Sequence, residues 1–251
     1  MKDKVVIVTG GTSGMGRGIA ELFAEQGAKV LVSGRDEKRG GGVVCGIKSK
    51  GGKAAFMKSD VTRPESNKEL VDKAVLLYGG VDSLVMSAGI LGIGNVTKVP
   101  LEVWDETLAT NLSAVFYLCR AGIPRLEERG GGTIVVIGSI AAYKGFPNHP
   151  AYCATKGALV SFVKQVAIDY SPRIRINLLC PGPVDTPLLW DSAKAFPNPA
   201  SAVSDVARNT LLKRLGMPED VAAAALFMAT DDSKWITGTA MTIDGGIMCS
   251  G

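Results

Sequence analysis

The sequence predicts an α/β fold in which helices cover both faces of one parallel β-sheet. Short runs rich in β-branched residues alternate with longer amphipathic stretches along the 251 residues, and this repetition of strand and helix is typical of doubly wound sheets. The predicted strands are mostly apolar at successive positions, as expected of strands that are buried on both faces. Glycine supplies 31 residues, well above the average of about 7%, and many of them lie at the joints between elements.

Seven strands and six helical stretches account for most of the chain. The strands are predicted at residues 5–8, 29–33, 53–58, 81–86, 133–137, 173–179 and 240–243. The helical stretches are predicted at residues 14–26, 36–50, 64–78, 101–129, 151–170 and 219–230. Four of them are followed by glycine, which favours the left-handed conformation at a helix end: Gly27, Gly51 with Gly52, Gly79 with Gly80, and Gly130 with Gly131 and Gly132.

The second helical stretch contains an unusual glycine run, Gly40, Gly41 and Gly42, followed by Gly46. Each glycine in a helix interior costs about 1 kcal/mol relative to alanine. We therefore expect this helix to be short or frayed.

No linker interrupts the alternation, which indicates one domain over residues 1–251 that binds a dinucleotide and carries the catalytic residues. The longest departure is an excursion at about residues 183–212, where prolines surround Leu188, Leu189, Trp190 and Phe196. An apolar excursion after a late strand favours a lid over a site. An interface loop is the alternative.

Composition and charge exclude several classes of protein. With 46% hydrophobic and 21% charged residues the chain has an ordinary globular composition, and its net charge of +4 is not gathered in a basic block that would indicate a nucleic-acid partner. No apolar run reaches the roughly 18 residues of a membrane helix, and no export signal is evident, so a cytoplasmic location is expected. Five scattered cysteines without a CxxC pair indicate neither disulfides nor a metal site. The one histidine, His149, lies in a stretch of loop composition and is expected to be a surface residue.

A glycine-rich turn follows the first predicted strand directly. Residues 9–16 read TGGTSGMG, and the next helix begins within them. Glycines here allow a tight turn and close approach of the backbone to a pyrophosphate, which the helix amino terminus attracts. The predicted binding residues of this turn are Gly10, Thr12, Ser13, Gly14, Met15 and Gly16.

The end of the second predicted strand indicates which dinucleotide is bound. A fold that prefers NAD places an acid there for the ribose hydroxyl, whereas this chain has Ser33, Gly34 and Arg35. A guanidinium pairs with the additional phosphate of NADP, so NADP is expected ahead of NAD. In the alternative, Arg35 is solvated and Asp36 and Glu37 merely cap the next helix.

Tyr152 and Lys156 lie four residues apart in a predicted helix and therefore share a face. A nearby ammonium group stabilises a phenolate, which would lower the phenol pKa from about 10 and make Tyr152 a competent general acid or base. Ser139 follows a strand at the sheet edge where α/β folds bind ligands, and its hydroxyl could hold a substrate oxygen.

With these motifs the chain resembles the classical short-chain dehydrogenase/reductase family along nearly its whole length. Besides TGGTSGMG, the matching pieces are Asp60 with Val61, Ala88 with Gly89, Asn111 in NLSAVF, Ser139 in IGSIAA, YCATK at residues 152–156, PGPVDTP at residues 181–187, and ITGTAMTIDGG near the end. The resemblance implies a Rossmann-type fold and hydride transfer between nicotinamide and a carbonyl or alcohol carbon.

The resemblance also implies a role for each matched residue. Tyr152 would move the proton, Lys156 would hold the nicotinamide ribose, Ser139 would orient the substrate oxygen, and Asn111 would order a water in a proton relay. Cofactor contacts are implied for Asp60 and Val61 at the adenine, Ala88 and Gly89 at the ribose, and Pro181, Gly182, Val184 and Thr186 near the nicotinamide. A homo-oligomer, with a tetramer favoured, is also implied.

The sequence therefore predicts an NADP(H)-dependent oxidoreductase for a small or apolar carbonyl or secondary alcohol substrate. An NAD-dependent dehydrogenase for an alcohol, polyol or hydroxysteroid and a catalytically inactive cofactor-binding regulator are the alternatives. We expect an apolar pocket formed by Leu91, Ile93, Leu188, Leu189, Trp190 and Phe196.

Overall fold

The computed structural model describes residues 1–249 and contains, within them, one sheet of seven parallel strands. The strands are β1 (Val5–Thr9), β2 (Lys29–Gly34), β3 (Lys53–Lys58), β4 (Ser83–Met86), β5 (Gly132–Ile137), β6 (Ile174–Pro181) and β7 (Ala240–Ile243). Their order is β3-β2-β1-β4-β5-β6-β7, and each neighbouring pair is parallel. The predicted seven-stranded Rossmann-type sheet is confirmed.

Helices cover both faces of this sheet. The helices are α1 (Gly14–Glu25), α2 (Glu37–Ser49), α3 (Pro64–Tyr78), α4 (Leu101–Leu108), α5 (Ala114–Glu128), α6 (Pro150–Tyr170), α7 (Pro187–Ala193), α8 (Pro199–Asn209) and α9 (Pro218–Ala229). Apolar residues of α3, α5 and α6 pack on one face of the sheet, and those of α1, α2 and α9 pack on the other. In β1, Val5 and Ile7 belong to the first core and Val6 and Val8 to the second, because successive strand residues point to opposite faces.

Helix α2 differs from the expectation, because it is a regular helix of 13 residues that is neither short nor frayed. Asp36 caps it by accepting a hydrogen bond from the Arg39 backbone N–H at 2.9 Å. Gly40 is buried, and a methyl group there would collide with the ring of Phe56 on β3. This glycine lets the helix lie close to the sheet, and the packing offsets its low helix propensity.

Two other predicted stretches are divided in the structure. The stretch predicted at 101–129 consists of α4, a π-helical segment at Ala109–Ser113, and α5. The excursion at 183–212 contains α7 and α8. Within residues 1–249, none of the helices combines the length and apolar character needed to cross a membrane.

The strand order reverses between β1 and β4, which are adjacent although β2 and β3 separate them in the chain. At such a switch point the loops after the two strands diverge and leave a crevice at their carboxyl ends. The glycine-rich turn after β1 and the loop after β4 flank this crevice.

Candidate active site

Three predicted catalytic side chains meet beyond the carboxyl end of β5. Ser139 begins the short 3-10 helix Ile140–Ala142, where its hydroxyl accepts a hydrogen bond from the Ala141 N–H at 3.1 Å. Tyr152 lies in the first turn of α6, and its phenol interacts with the Ser139 side chain, which favours the ionised phenol and so acts to lower its pKa. A hydroxyl and a phenol are thus held together at the wall of a cavity.

Lys156 lies one turn further along α6, on the same face as Tyr152. Its side chain is only 4% exposed, and Nζ lies 5.5 Å from the centroid of the Tyr152 ring. Nζ donates a hydrogen bond to the Ile137 carbonyl oxygen at 2.8 Å, which ties the lysine to the end of β5. The lysine therefore has a fixed position beneath the phenol.

The expectation of a lowered phenol pKa is wrong for this structure. Burial raises the pKa of Tyr152 to about 12, and the hydrogen bond from Ser139 only partly opposes this change. Burial also lowers the pKa of Lys156 to about 8. Removal from water disfavours the charged form of both groups. With a pKa of about 8, the lysine still carries its charge at neutral pH and loses it in weakly alkaline solution, where it no longer stabilises a phenolate.

Asn111 lies in the π-helical segment Ala109–Ser113 and is 1% exposed. Its side chain binds both backbone groups of Ile90, donating to the carbonyl oxygen and accepting from the N–H, each at 2.9 Å. It also donates to the Thr155 hydroxyl at 3.2 Å. Asn111 thereby joins the loop after β4 to the catalytic helix, and π-helical turns are frequently found at functional sites. Sequence reasoning missed Thr155, which could have been found from its position between Tyr152 and Lys156.

The glycine-rich turn fits a dinucleotide. Gly10 has a φ of +65°, and a methyl group there would lie 2.6 Å from the backbone nitrogen of Ala88. Gly14 has a φ of +50°, and the residue before it, Ser13, begins α1 without a side-chain cap. The first turn of α1 contains no acid. No carboxylate of this turn is therefore available to bind the free amide groups at the start of α1, and such a helix terminus is suited to binding an anion.

The predicted nicotinamide residues lie on the other side of the crevice. Pro181, Gly182, Val184 and Thr186 line the same cavity as Ser139 and Tyr152, and so does Met15 of the glycine-rich turn. A methyl group on Gly14 would lie 3.1 Å from Thr186 Cγ2, so the glycine-rich turn and the loop after β6 are in contact. Gly89 lies beside the catalytic residues, since a methyl group there would be 3.4 Å from Asn111 Oδ1 and 3.8 Å from Lys156 Nζ. Ala88 borders the glycine-rich turn.

A second cavity of about 440 Å³ lies at the ends of β2 and β3. Its lining contains Arg35 and Asp60, two of the predicted cofactor residues, and also two cations that sequence reasoning missed, Lys58 and Arg63. The Arg35 side chain is 70% exposed and forms a long ion pair, 3.9 Å, with Glu106. Hydrogen bonding from Thr62 lowers the pKa of Asp60.

Two predicted cofactor residues near this cavity are not among its lining residues. The Ser33 side chain is fully buried and is hydrogen-bonded to the Ser59 hydroxyl, so it is used within the protein. Val61 is partly buried, and its carbonyl oxygen accepts a hydrogen bond from Asn67 at 2.8 Å.

The cavity beside Tyr152 has a volume of about 960 Å³ and is formed largely by the excursion. Leu91, Leu188, Leu189 and Phe196 line it as predicted. Ile93 and Trp190 do not belong to its lining; Trp190 is 49% exposed and its indole N–H donates to Asp185 at 2.8 Å. The charged side chains of the lining, Lys144, Asp205, Arg208 and Lys213, are exposed, so the cavity has an apolar interior and a charged rim.

The expectation that His149 is a surface residue is wrong. His149 is 2% exposed, lies immediately before α6, and lines the cavity. Its Nε2 is 3.0 Å from the Ser192 hydroxyl on α7. Loop composition did not reveal this burial, because α7, which covers the histidine, lies more than 35 residues further along the chain.

Known proteins resemble the chain over nearly its full length. Residues 10–248 match the family described as enoyl-(acyl carrier protein) reductase. The 2,5-dichloro-2,5-cyclohexadiene-1,4-diol dehydrogenase LinX of Sphingobium indicum is 36% identical over 97% of this chain and 95% of its own. The 3beta-hydroxysteroid dehydrogenase of Mediterraneibacter gnavus is 35% identical over 97% of this chain and 94% of its own. A crystal structure of an actinorhodin polyketide ketoreductase variant with NADPH superposes with a TM-score of 0.93, at 28% identity and over 97% of each chain.

These matches and the fold show that the chain belongs to the classical short-chain dehydrogenase/reductase family. It is an oxidoreductase of that family, acting on CH–OH groups with NAD(P) as the hydride acceptor.

Proposed function

We propose that this protein is an NADP(H)-dependent oxidoreductase that interconverts a ketone and a secondary alcohol on a neutral, largely apolar substrate. Residues 1–251 would form one domain that binds the dinucleotide and carries out the reaction. The observation that carries the proposal is that Ser139 and Tyr152 line an apolar cavity beside the glycine-rich turn, with the ammonium group of Lys156 next to the Tyr152 ring.

The chain's own residues supply proton transfer and orientation. The nicotinamide would donate or accept the hydride at the substrate carbon. In reduction, the Tyr152 hydroxyl donates its proton to the carbonyl oxygen, and in oxidation the phenolate accepts the alcohol proton. The Ser139 hydroxyl, which lines the cavity with Tyr152, holds the same substrate oxygen in place.

Lys156 and Asn111 act from behind the reacting groups. The lysine, fixed by the Ile137 carbonyl oxygen at 2.8 Å, favours the phenolate when it is protonated and binds a ribose hydroxyl. Asn111 already uses both Nδ2 hydrogens, on Ile90 and Thr155. A relay water at Asn111 would therefore donate its hydrogen bond to a carbonyl oxygen of Asn111 and could not accept one from Nδ2.

The charge at the end of β2 supports NADP over NAD. Arg35, Lys58 and Arg63 all line the second cavity, and a guanidinium can bind a phosphate with two hydrogen bonds. Asp36, the nearest acid after β2, caps helix α2 through the Arg39 N–H. No carboxylate within β2 is available for a ribose hydroxyl.

The cavity supports a substrate with an apolar body. Its buried walls include Leu91 and Val203, whereas its charged side chains are exposed at the rim. A buried ionic group on the substrate would have no partner there. We propose that α7 and α8 form the lid over this substrate. The names of the two relatives, a cyclohexadienediol dehydrogenase and a hydroxysteroid dehydrogenase, favour cyclic secondary alcohols.

Exposed apolar side chains support a homo-oligomer, with a tetramer favoured. Ile168 is 75% exposed, Phe116 46% and Trp235 98%. Self-association would remove such side chains from water. Light scattering after size-exclusion chromatography measures the assembly directly.

The experiment is a substrate screen in both directions, followed by NADPH absorbance. The panel contains cyclic ketones and their alcohols, hydroxysteroids, polyols and 3-oxoacyl thioesters. Tyr152→Phe should abolish turnover of every active substrate, because the proton donor is lost, and should leave NADPH binding nearly intact by fluorescence titration. Turnover retained by Tyr152→Phe would refute the mechanism, and no turnover by the wild type would favour the cofactor-binding regulator.

A further inference from the structure

Two side chains of the loop before the catalytic helix bind helix α7 and the segment that directly follows it. His149 Nε2 lies 3.0 Å from the Ser192 hydroxyl on α7, and Asn148 Nδ2 donates to the Ala195 carbonyl oxygen at 3.3 Å. We name these four residues the clasp. It joins segments that are 43 and 47 residues apart in the chain.

Neighbouring backbone groups fix the loop side of the clasp. The His149 Nδ1 lies 2.6 Å from the Pro147 carbonyl oxygen. Because a carbonyl only accepts hydrogen bonds, Nδ1 must carry the proton. The other nitrogen of the neutral ring is then an acceptor, so the Ser192 hydroxyl donates to Nε2. Asn148 has a φ of +60°, and its carbonyl oxygen accepts from the Gly94 N–H at 2.9 Å.

The histidine also contacts the catalytic tyrosine. The ring centroids of His149 and Tyr152 are 6.3 Å apart in an edge-to-face arrangement, and Phe146 packs on the histidine similarly at 6.4 Å. His149, Ser192 and Tyr152 all line the same cavity. The imidazole is 2% exposed, and a buried acceptor that loses its hydrogen-bond donor is costly.

From these contacts we propose that His149 is a positioning residue, which fastens helix α7 to the catalytic helix and so sets how firmly the lid holds the substrate. This inference rests on the proposed function for its kinetic consequence, but the fastening itself does not depend on turnover. Breaking the His149–Ser192 hydrogen bond should make lid opening more frequent and substrate release faster.

The decisive comparison is Ser192→Val against Ser192→Thr in the full-length protein with bound NADPH. The two side chains have nearly the same shape, and only threonine keeps the hydroxyl that donates to His149. Hydrogen–deuterium exchange read by mass spectrometry reports opening of residues 187–209. We expect exchange there to be about 5- to 10-fold faster in Ser192→Val than in Ser192→Thr, as the loss of one buried hydrogen bond implies.

The partner variant and a control test whether the effect belongs to this bond. His149→Phe keeps an aromatic ring but removes the acceptor, so it should accelerate exchange as Ser192→Val does, and the double variant should add nothing further. Ser204→Val is the control, because Ser204 lies on the exposed side of α8 and donates to the Ser201 carbonyl oxygen of its own helix. It should leave exchange of α7 at the wild-type rate.

With any ketone that the screen shows to be reduced, Ser192→Val should have a KM higher than that of Ser192→Thr by about the same factor. Equal exchange in the valine and threonine variants would overturn the proposal. Additive effects in the double variant, or faster exchange without a change of KM, would also overturn it. Acceleration in the central strands as well would indicate a general loss of stability and likewise count against it.

A failure of Tyr152→Phe to abolish turnover would refute the proposed chemistry but leave the exchange result standing.

Discussion

The two ends of the predicted cofactor site, at Lys156 and at Arg35, differ in how much water surrounds their charged side chains. At the catalytic end, Lys156 is 4% exposed and burial lowers its pKa to about 8. At the other end, the Arg35 side chain is 70% exposed, and its ion pair with Glu106 is 3.9 Å long. At the catalytic end, burial of the charged lysine therefore destabilises the folded protein. At the other end, the charged arginine stays in water, where it can bind an incoming phosphate.

The functional residues at the two ends therefore differ in how much they lower the stability of the folded protein. A buried lysine weakens the folded state at neutral pH, because the unfolded chain protonates it more readily. An exposed arginine with a long ion pair has little effect on stability in either direction. Replacing the buried lysine should thus lower activity and raise stability, whereas replacing the exposed arginine should weaken cofactor binding and leave stability nearly unchanged.

The largest expected effect is that of Lys156→Met. Turnover should fall by about 100-fold or more because the group that tunes the phenol is lost. The free energy of unfolding without cofactor should rise by roughly 2–3 kcal/mol at pH 7, since the lysine pKa is about 8 in the folded state and 10.5 in its ordinary range. Chemical denaturation and initial rates measure the two effects.

The pH dependence of the free energy of unfolding tests independently whether the Lys156 charge destabilises the folded protein. Between pH 8 and 9 the unfolded chain holds the Lys156 proton while the folded protein releases it, so wild-type stability relative to Lys156→Met should increase with pH. A variant that is less stable than the wild type at pH 7, with no pH-dependent difference, would contradict the role of burial.

A smaller effect is expected at the outer end from Arg35→Ala. The Kd for NADPH should increase by about tenfold through the loss of a charge-assisted contact with the phosphate, and the Kd for NADH should stay the same. Stability should hardly change. Arg39→Ala is the matched control, because Arg39 is also exposed and is paired with Asp36 at 3.3 Å. An unchanged NADPH preference in Arg35→Ala would refute the NADP assignment.

The smallest effect concerns the helix that follows Arg35. Gly41 is exposed, and a methyl group there meets nothing within 4 Å, so Gly41→Ala should stabilise the protein by about 0.5–1 kcal/mol. Gly40→Ala should instead lower the melting temperature, because the new methyl group would collide with Phe56. Thermal unfolding compares the two. A stabilised Gly40→Ala would show that α2 does not depend on this close packing.

Sequence periodicity and punctuation predicted most of the fold. The seven strands and the glycine-rich turn agree with their predicted places because their signals are local: apolar runs, helix starts and glycines with positive φ. Helix α2 was predicted in its place, but its regular full length was not, because the use of Gly40 depends on Phe56, which belongs to another element. The π-helical segment around Asn111 left no mark that the periodicity of residues 101–129 could reveal.

The sequence by itself determined the order of strands and helices, the glycine-rich turn, and the set of Ser139, Tyr152 and Lys156 as candidates. These features depend on residue type and short spacing, which a chain displays without folding. Tertiary structure alone decided the raised pKa of Tyr152, the lowered pKa of Lys156 and the burial of His149 under α7. Each of these depends on how much water remains around a group, and that is fixed only when distant segments pack together.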